Sequence, residues 1–232
     1  MAPDHREIYR EHADQYQLLV AREDYQHNLP RALNRMLPLQ GAHVVELGAG
    51  TGRLTCMLAP RVETGLALDA SQPMLEVAAA RLKQSGHQNW WTAVADHRRL
   101  PVGDQVADVV IAGWSICYLV AWNAQTWQAE VEQSLAEMKR ALRPGGILII
   151  LETLGTGHET PHRPELLAAY YTLLEEMGFF STWIRTDYQF KSVQEAAELT
   201  GFFFGEDLAD RVVREKLVVL PECTGIWRLT RL

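Results

Sequence analysis

The feature that most constrains this chain is the run His43-Val44-Val45-Glu46-Leu47-Gly48-Ala49-Gly50-Thr51-Gly52. Residues 44–47 read as a short buried strand, and residues 53–59 begin a helix. Between them Gly48, Gly50 and Gly52 permit a tight turn with bare backbone, so a ligand can touch the main chain there. Such turns also serve phosphates and dinucleotides. Two details narrow the choice. Glu46 ends the strand, where a carboxylate repels a pyrophosphate and suits a cationic or zwitterionic ligand. The Gly-Lys-Ser/Thr of a nucleoside triphosphate loop is absent from the sequence.

A chain of 232 residues fits one domain of about 100–250 residues. The expected layout is a single unit: an N-terminal helical cover over 1–40, a ligand-binding core over 41–152, and a region over 153–232 with a substrate-side loop, helices and two final strands. In the cover, Asp4 and Glu7 resemble a capping pair opening a helix towards Val20, and a second helix spans residues 24–37 before Pro38. In the core, strands are expected at 44–47, 64–68, 89–95, 105–112 and 146–151, with helices at 53–59, 73–84 and through Trp127, Val131, Leu135, Met138 and Leu142. Strand and helix alternating in this way imply a parallel sheet with right-handed crossovers. Farther on, a helix carries Leu166 to Leu174, residues 184–190 alternate as a sixth strand, and 217–229 supply a seventh. No helix follows that strand, so it is free to insert antiparallel.

Composition removes several classes. The formal charge of −7 disfavours a nucleic-acid surface. No apolar run reaches the roughly 18 residues of a membrane span, and the polar start lacks a signal core, so a cytoplasmic protein without a membrane partner is expected. Cys56, Cys117 and Cys223 cannot pair completely and show no ligand spacing.

Three acids close three successive strands: Glu46, Asp69 and Asp96, the last followed by His97. Asp69 is placed to meet a ribose or to cap the helix after Ser71, and spacing alone leaves both open. Trp114 and Tyr118 follow the fourth strand, where aromatic faces suit a cationic ligand or pack in the core.

With these motifs, Val44 to Gly52, Gly65-Leu-Ala-Leu-Asp-Ala-Ser71, Ala95-Asp-His97, Ala107 to Gly113 and Leu142-Arg-Pro-Gly-Gly-Ile147, the chain resembles the class I S-adenosylmethionine-dependent methyltransferases over about residues 41–152. The resemblance implies a doubly wound, mostly parallel seven-stranded sheet with a reversed last strand. It implies S-adenosylmethionine as the methyl donor, held by Glu46, Gly48, Ala49, Gly50, Gly52, Asp69, Ala70, Met74, Asp96, His97, Gly113 and Trp114. Asp69 would meet the ribose hydroxyls, Met74 would pack on adenine, and Asp96 would meet its amino group. The acceptor is expected to be a small molecule, lined by Tyr9, Tyr16, Tyr25, Trp114, Tyr118, a helix start at Trp122 to Trp127, and the loop from Glu152 to His162. A non-catalytic adenosylmethionine binder and a dinucleotide oxidoreductase are the rivals; the latter needs Gly-x-Gly-x-x-Gly rather than the present spacing.

His158-Glu159-Thr160-Pro161-His162 matches the zinc-protease pattern in letters only, because Pro161 and the nearby glycines oppose the helix that pattern requires. No metal is expected. His158 and His162 remain candidates for a general base. Cys117 lacks the neighbouring proline of pyrimidine carbon methyltransferases, and Ala112-Gly-Trp-Ser115 replaces the Asn-Pro-Pro-Tyr type motif of base and glutamine methylation.

Overall fold

The computed structural model describes residues 3–232. Seven strands form one sheet: β1 (His43–Leu47), β2 (Thr64–Asp69), β3 (Trp90–Val94), β4 (Ala107–Gly113), β5 (Leu142–Thr156), β6 (Phe180–Arg185) and β7 (Glu222–Thr230). Their order is β3-β2-β1-β4-β5-β7-β6, and β7 runs antiparallel to both of its neighbours while the other pairings are parallel. This is the doubly wound sheet with a reversed last strand that the sequence implies. The central strands are apolar throughout because both faces are covered: Val109 to Ala112 and Leu148 to Leu151 are fully buried.

From β1 the chain builds outward to β2 and β3, then returns to lay β4 on the other side of β1. That reversal opens a crevice at the carboxyl ends of β1 and β4, the usual ligand position in such sheets. The glycine turn and Gly113-Trp114 both stand there.

On the N-terminal side, α1 (His5–Glu11) and α2 (Ala13–Val20) replace the single expected helix, breaking at His12. The Asp4 carboxylate caps α1 by accepting from the Arg6 and Glu7 amides. The next helix, α3 (Asn28–Met36), starts four residues later than expected. Asp24 and His27 adopt left-handed backbone, and the Asp24 carboxylate instead accepts from the Asn28 and Leu29 amides at 2.8 and 3.0 Å.

Helices α4 (Arg53–Leu58), α5 (Gln72–Gln84) and α7 (Trp127–Ala141) match the sequence pattern. A short helix, α6 (Cys117–Trp122), was not legible, and it carries Tyr118. Beyond β5 lie α8 (Ala168–Glu176), α9 (Val193–Phe204) and α10 (Glu206–Glu215).

The expected strand over 184–190 is divided. Arg185 and Asp187 pair at 2.7 Å at the bend, and Tyr188–Gln189 leaves the sheet to pair with Val219–Leu220 as a separate ribbon. Pro221, lacking an amide donor, separates that ribbon from β7, so the expected strand over 217–229 is also two pieces. Among the described residues no helix is long and apolar enough to cross a membrane.

Candidate functional site

Two cavities meet at the sheet's switch point. The outer one, about 560 Å³, is lined by Gly48, Gly50, Asp69, Met74, Asp96 and His97 among others. The inner one, about 130 Å³, lies beneath the cover helices. They share Tyr9, Tyr16, Gly48, Gly50, Gly113, Trp114 and Tyr118.

The glycine turn owes its shape to left-handed backbone at Gly48 and Gly50, with φ of 65° and 53°. A Cβ on Gly48 would stand 2.1 Å from that of Ser115, so no side chain fits. Gly52 differs from expectation: it lines neither cavity, and its bareness lets Ala78 of α5 approach, a Cβ there meeting that of Ala78 at 2.9 Å.

Asp69 braces the start of α5 and keeps acceptor capacity towards the cavity. One oxygen accepts from the Ser71 amide and the other from Gly50, each at 2.8 Å, so it pins the glycine turn to the start of α5. A carboxylate has about four acceptor sites, so two remain, enough for a pair of ribose hydroxyls. Ala70 and Met74 line the same wall. Asp96 is half-exposed and held at about 2 by the Arg98 guanidinium, whose backbone amide and Nε both donate to its Oδ1 at 2.8 Å. Burial pushes His97 down to about 4, so its ring is neutral near pH 7 and suited to lie beside an uncharged base.

The inner chamber holds residues the sequence did not single out. Glu23, Arg53, Tyr188, Phe203, Phe204 and Glu222 line it, along with Glu46, Ala49, Glu152 and, from the loop expected on the acceptor side, Thr153 and Thr156. Glu46 is buried and accepts from the Thr55 hydroxyl at 2.6 Å, and burial pushes its carboxyl up to about 8. Arg53 donates to Glu23 at 2.6 Å, and its guanidinium lies 4.2 Å over the Trp114 ring. Trp114 has a φ of 50°, a conformation that costs a bulky residue about 1–3 kcal/mol. Its amide donates to Leu151 at 2.7 Å, which fixes the indole at the junction of the cavities.

The cover closes by aromatic contact. Tyr9 bonds Tyr118 through the two hydroxyls and meets Tyr16 edge-on at 5.4 Å, while its carbonyl accepts from Ser71 at 2.6 Å. Trp122 lines the outer cavity beneath Arg6.

Three expectations fail on position. Tyr25 lines neither cavity, and its hydroxyl accepts from Gln26 instead. Trp127 packs against the core. His158 and His162 also lie outside both cavities, exposed, their rings stacked 4.3 Å apart in a stretch that is not helical. Gly155 and Gly157, with φ of 125° and 81°, turn that stretch away from the chamber and leave Thr153 and Thr156 as its lining residues.

Residues 45–150 match the family described as a methyltransferase domain. Over that stretch the chain is similar to methyltransferases, and its sheet has the order and the reversed last strand of the class I S-adenosylmethionine-dependent fold. An uncharacterized methyltransferase of Mycobacterium tuberculosis is 32% identical over 120 residues, covering 51% of this chain and 43% of that one. A malonyl-[acyl-carrier protein] O-methyltransferase of Xylella fastidiosa is 31% identical over 134 residues, covering 53% and 40%. The matches thus span about two fifths of these curated relatives. A S-adenosylmethionine-dependent methyltransferase structure from Aquifex aeolicus superposes with a TM-score of 0.60 at 16% identity, over 93% of this chain and 96% of that one. The methyltransferase cofactor is S-adenosylmethionine, and the outer cavity fits it: a bare glycine cradle, a carboxylate with two free acceptor sites, and a volume within the range of about 300–1,000 Å³ usual for ligand pockets.

Proposed function

We propose that this methyltransferase passes the methyl of S-adenosylmethionine to a small molecule held in the inner chamber. The observation that carries the reading is the junction: the cavity suited to the donor opens through Gly48, Gly113, Trp114 and Tyr118 onto a second, smaller chamber. A binder that catalyses nothing has no use for that second space. The malonyl-carrier relative in Xylella acts on oxygen, as its name states; this chain's acceptor follows from its own chamber.

In this reading Asp69 holds the ribose, Met74 and His97 pack on the base, Asp96 offers its one remaining acceptor site, and Ala70 and Ala49 shape the walls. The turn at Gly48 and Gly50 receives the amino-acid end of the donor. When bound, S-adenosylmethionine supplies an electrophilic methyl on a sulfonium with a good leaving group. The chain's task is then alignment, which can remove about 7–11 kcal/mol of a barrier by itself. Tyr9, Tyr16 and Tyr118 close the junction against water, and Trp114 presents its π face there. A dinucleotide reading has less support, because Asp69 sets a carboxylate against the turn where a pyrophosphate would sit.

Incubating the protein with methyl-labelled donor and a panel of small acceptors tests this. Label in a small product, with demethylated donor released in equal amount, is the expected result. Tight donor binding without transfer to any acceptor would favour a non-catalytic binder.

A further inference from the structure

The inner chamber has an excess of buried acid. Glu23, Glu46, Glu152 and Glu222 line it, against Arg53. Arg53 already pairs with Glu23, which also accepts from Tyr188 at 3.1 Å, and Glu46 has Thr55. Even so, Glu23 Oε1 and Arg53 Nη2 are buried without partners, and the other two acids are likewise half served.

Glu152 and Glu222 are 0% and 2% exposed. In each, Oε1 is bonded: Glu152 accepts from the Cys117 amide at 3.0 Å, and Glu222 from the Thr153 hydroxyl at 2.7 Å. In each, Oε2 is buried with no partner. A buried acceptor left without a donor is costly, and more so when charged. With Glu23 Oε1 there are three such oxygens in one small aromatic-walled chamber, against the unpartnered Arg53 Nη2 and the Thr51 hydroxyl, and this surplus of acceptors calls for a ligand with donors.

Three kinds of acceptor can be compared. An anion would bring further acceptors to a chamber already short of donors. A neutral hydroxyl brings one donor and would leave the other oxygens orphaned. A protonated amine brings up to three donors and no acceptor, and its positive charge favours both carboxylates and the aromatic walls of Tyr9, Tyr16, Tyr188 and Phe203. A chamber of about 130 Å³ is close to the roughly 150 Å³ cavity that admits benzene, so the amine must be small.

We propose that the methyl acceptor is a small organic amine, held as its ammonium between Glu152 and Glu222 and methylated on nitrogen. The proposal rests on the methyltransferase reading above. Glu152 directly follows Leu151, which pairs across β4 and β5 with Gly113, a residue that both cavities share. Glu222 pairs with Thr156, four residues beyond Glu152 along β5. Glu222 therefore holds the cation and Glu152 takes its proton. The freed nitrogen lone pair bonds the methyl carbon, the carbon–sulfur electron pair stays on sulfur as a neutral thioether, and the product leaves as the N-methyl ammonium. Burial pushes Glu152 up to about 7, a suitable proton affinity for this role near neutral pH.

Calorimetry on the full chain saturated with S-adenosylhomocysteine tests the proposal, using propylamine, benzylamine and phenethylamine, each against its alcohol and carboxylate counterpart. At least one amine should bind tenfold or more tightly than its counterparts. Glu222→Gln and Glu152→Gln should each weaken that amine tenfold or more while S-adenosylhomocysteine affinity stays within threefold. Should one variant fail to fold, the other carries the comparison. With labelled donor, Glu152→Gln should lower kcat more than it raises KM, and Glu222→Gln the reverse. Equal binding of an alcohol or carboxylate, no amine bound, or amine affinity unmoved in both variants overturns the proposal. Failure to bind S-adenosylhomocysteine at all would sink the methyltransferase reading and this inference together; binding it without amine preference would sink the inference alone.

Discussion

Asp69→Ala separates the two jobs given to one carboxylate. In the ligand-free protein it removes two hydrogen bonds, from Gly50 and Ser71, each at 2.8 Å. The cavity is open enough for water to replace part of the loss, so about 1 kcal/mol for each bond is expected, or about 2 kcal/mol of stability. At about 2–4 °C per kcal/mol for a chain of this size, the melting temperature should fall by about 4–8 °C. Donor binding should fall further. Two ribose hydroxyls donating to a charged acceptor contribute about 1.5 kcal/mol each, so affinity should drop by about 3 kcal/mol, or about 150-fold. Asp69→Asn, which keeps one acceptor oxygen, should lie between. Titration with S-adenosylhomocysteine and scanning calorimetry read the two effects separately. Affinity within threefold of wild type alongside a lowered melting temperature would refute the ribose role and leave Asp69 as a structural brace.

The buried acids give a pH prediction for the ligand-free protein. Burial pushes Glu46, Glu152 and Glu222 up to about 8, 7 and 8, from an ordinary 4.5. Their contribution is fully present below about 4.5 and is lost as pH rises through 7–8, by up to about 1.4 kcal/mol per pH unit for each group. His97, kept neutral by burial, acts oppositely below its ordinary 6.5, so the net decline should be clearest between pH 6.5 and 8. Urea melts across pH 5–8 should show it, with a shallower slope in Glu222→Gln; a slope unchanged in that variant would contradict the assignment. Finally, His158→Ala, His162→Ala and the double variant should keep wild-type turnover and pH profile, since both side chains lie outside the cavities; a loss above threefold in any of them would show that the loop reaches the acceptor.

The donor side was legible because it depends on local sequence. Gly48, Gly50 and the strand-end acids Asp69 and Asp96 are set by the strand-turn-helix units that contain them, and parallel pairing brings their ends to one edge. The acceptor chamber depends on long-range packing instead. Glu23 reaches it through a bridge to Tyr188, and Glu222 through the reversal of β7 beside β5, neither of which has a local signal. One clue was available: Glu222 is the only acid in β7 and stands at its first position. Gly52 misled in the other direction, since a glycine that makes room for Ala78 looks in sequence like one that makes room for a ligand. His158 and His162 were misplaced because the glycines beside them set the loop's direction, which spacing does not encode.

The most direct test of the account is a calorimetric titration of the full chain with S-adenosylhomocysteine, set against NAD and NADH. The account predicts one S-adenosylhomocysteine per chain, displaced by S-adenosylmethionine, and no saturable heat with either nicotinamide cofactor. Absence of S-adenosylhomocysteine binding, or a preference for a nicotinamide dinucleotide, would contradict it.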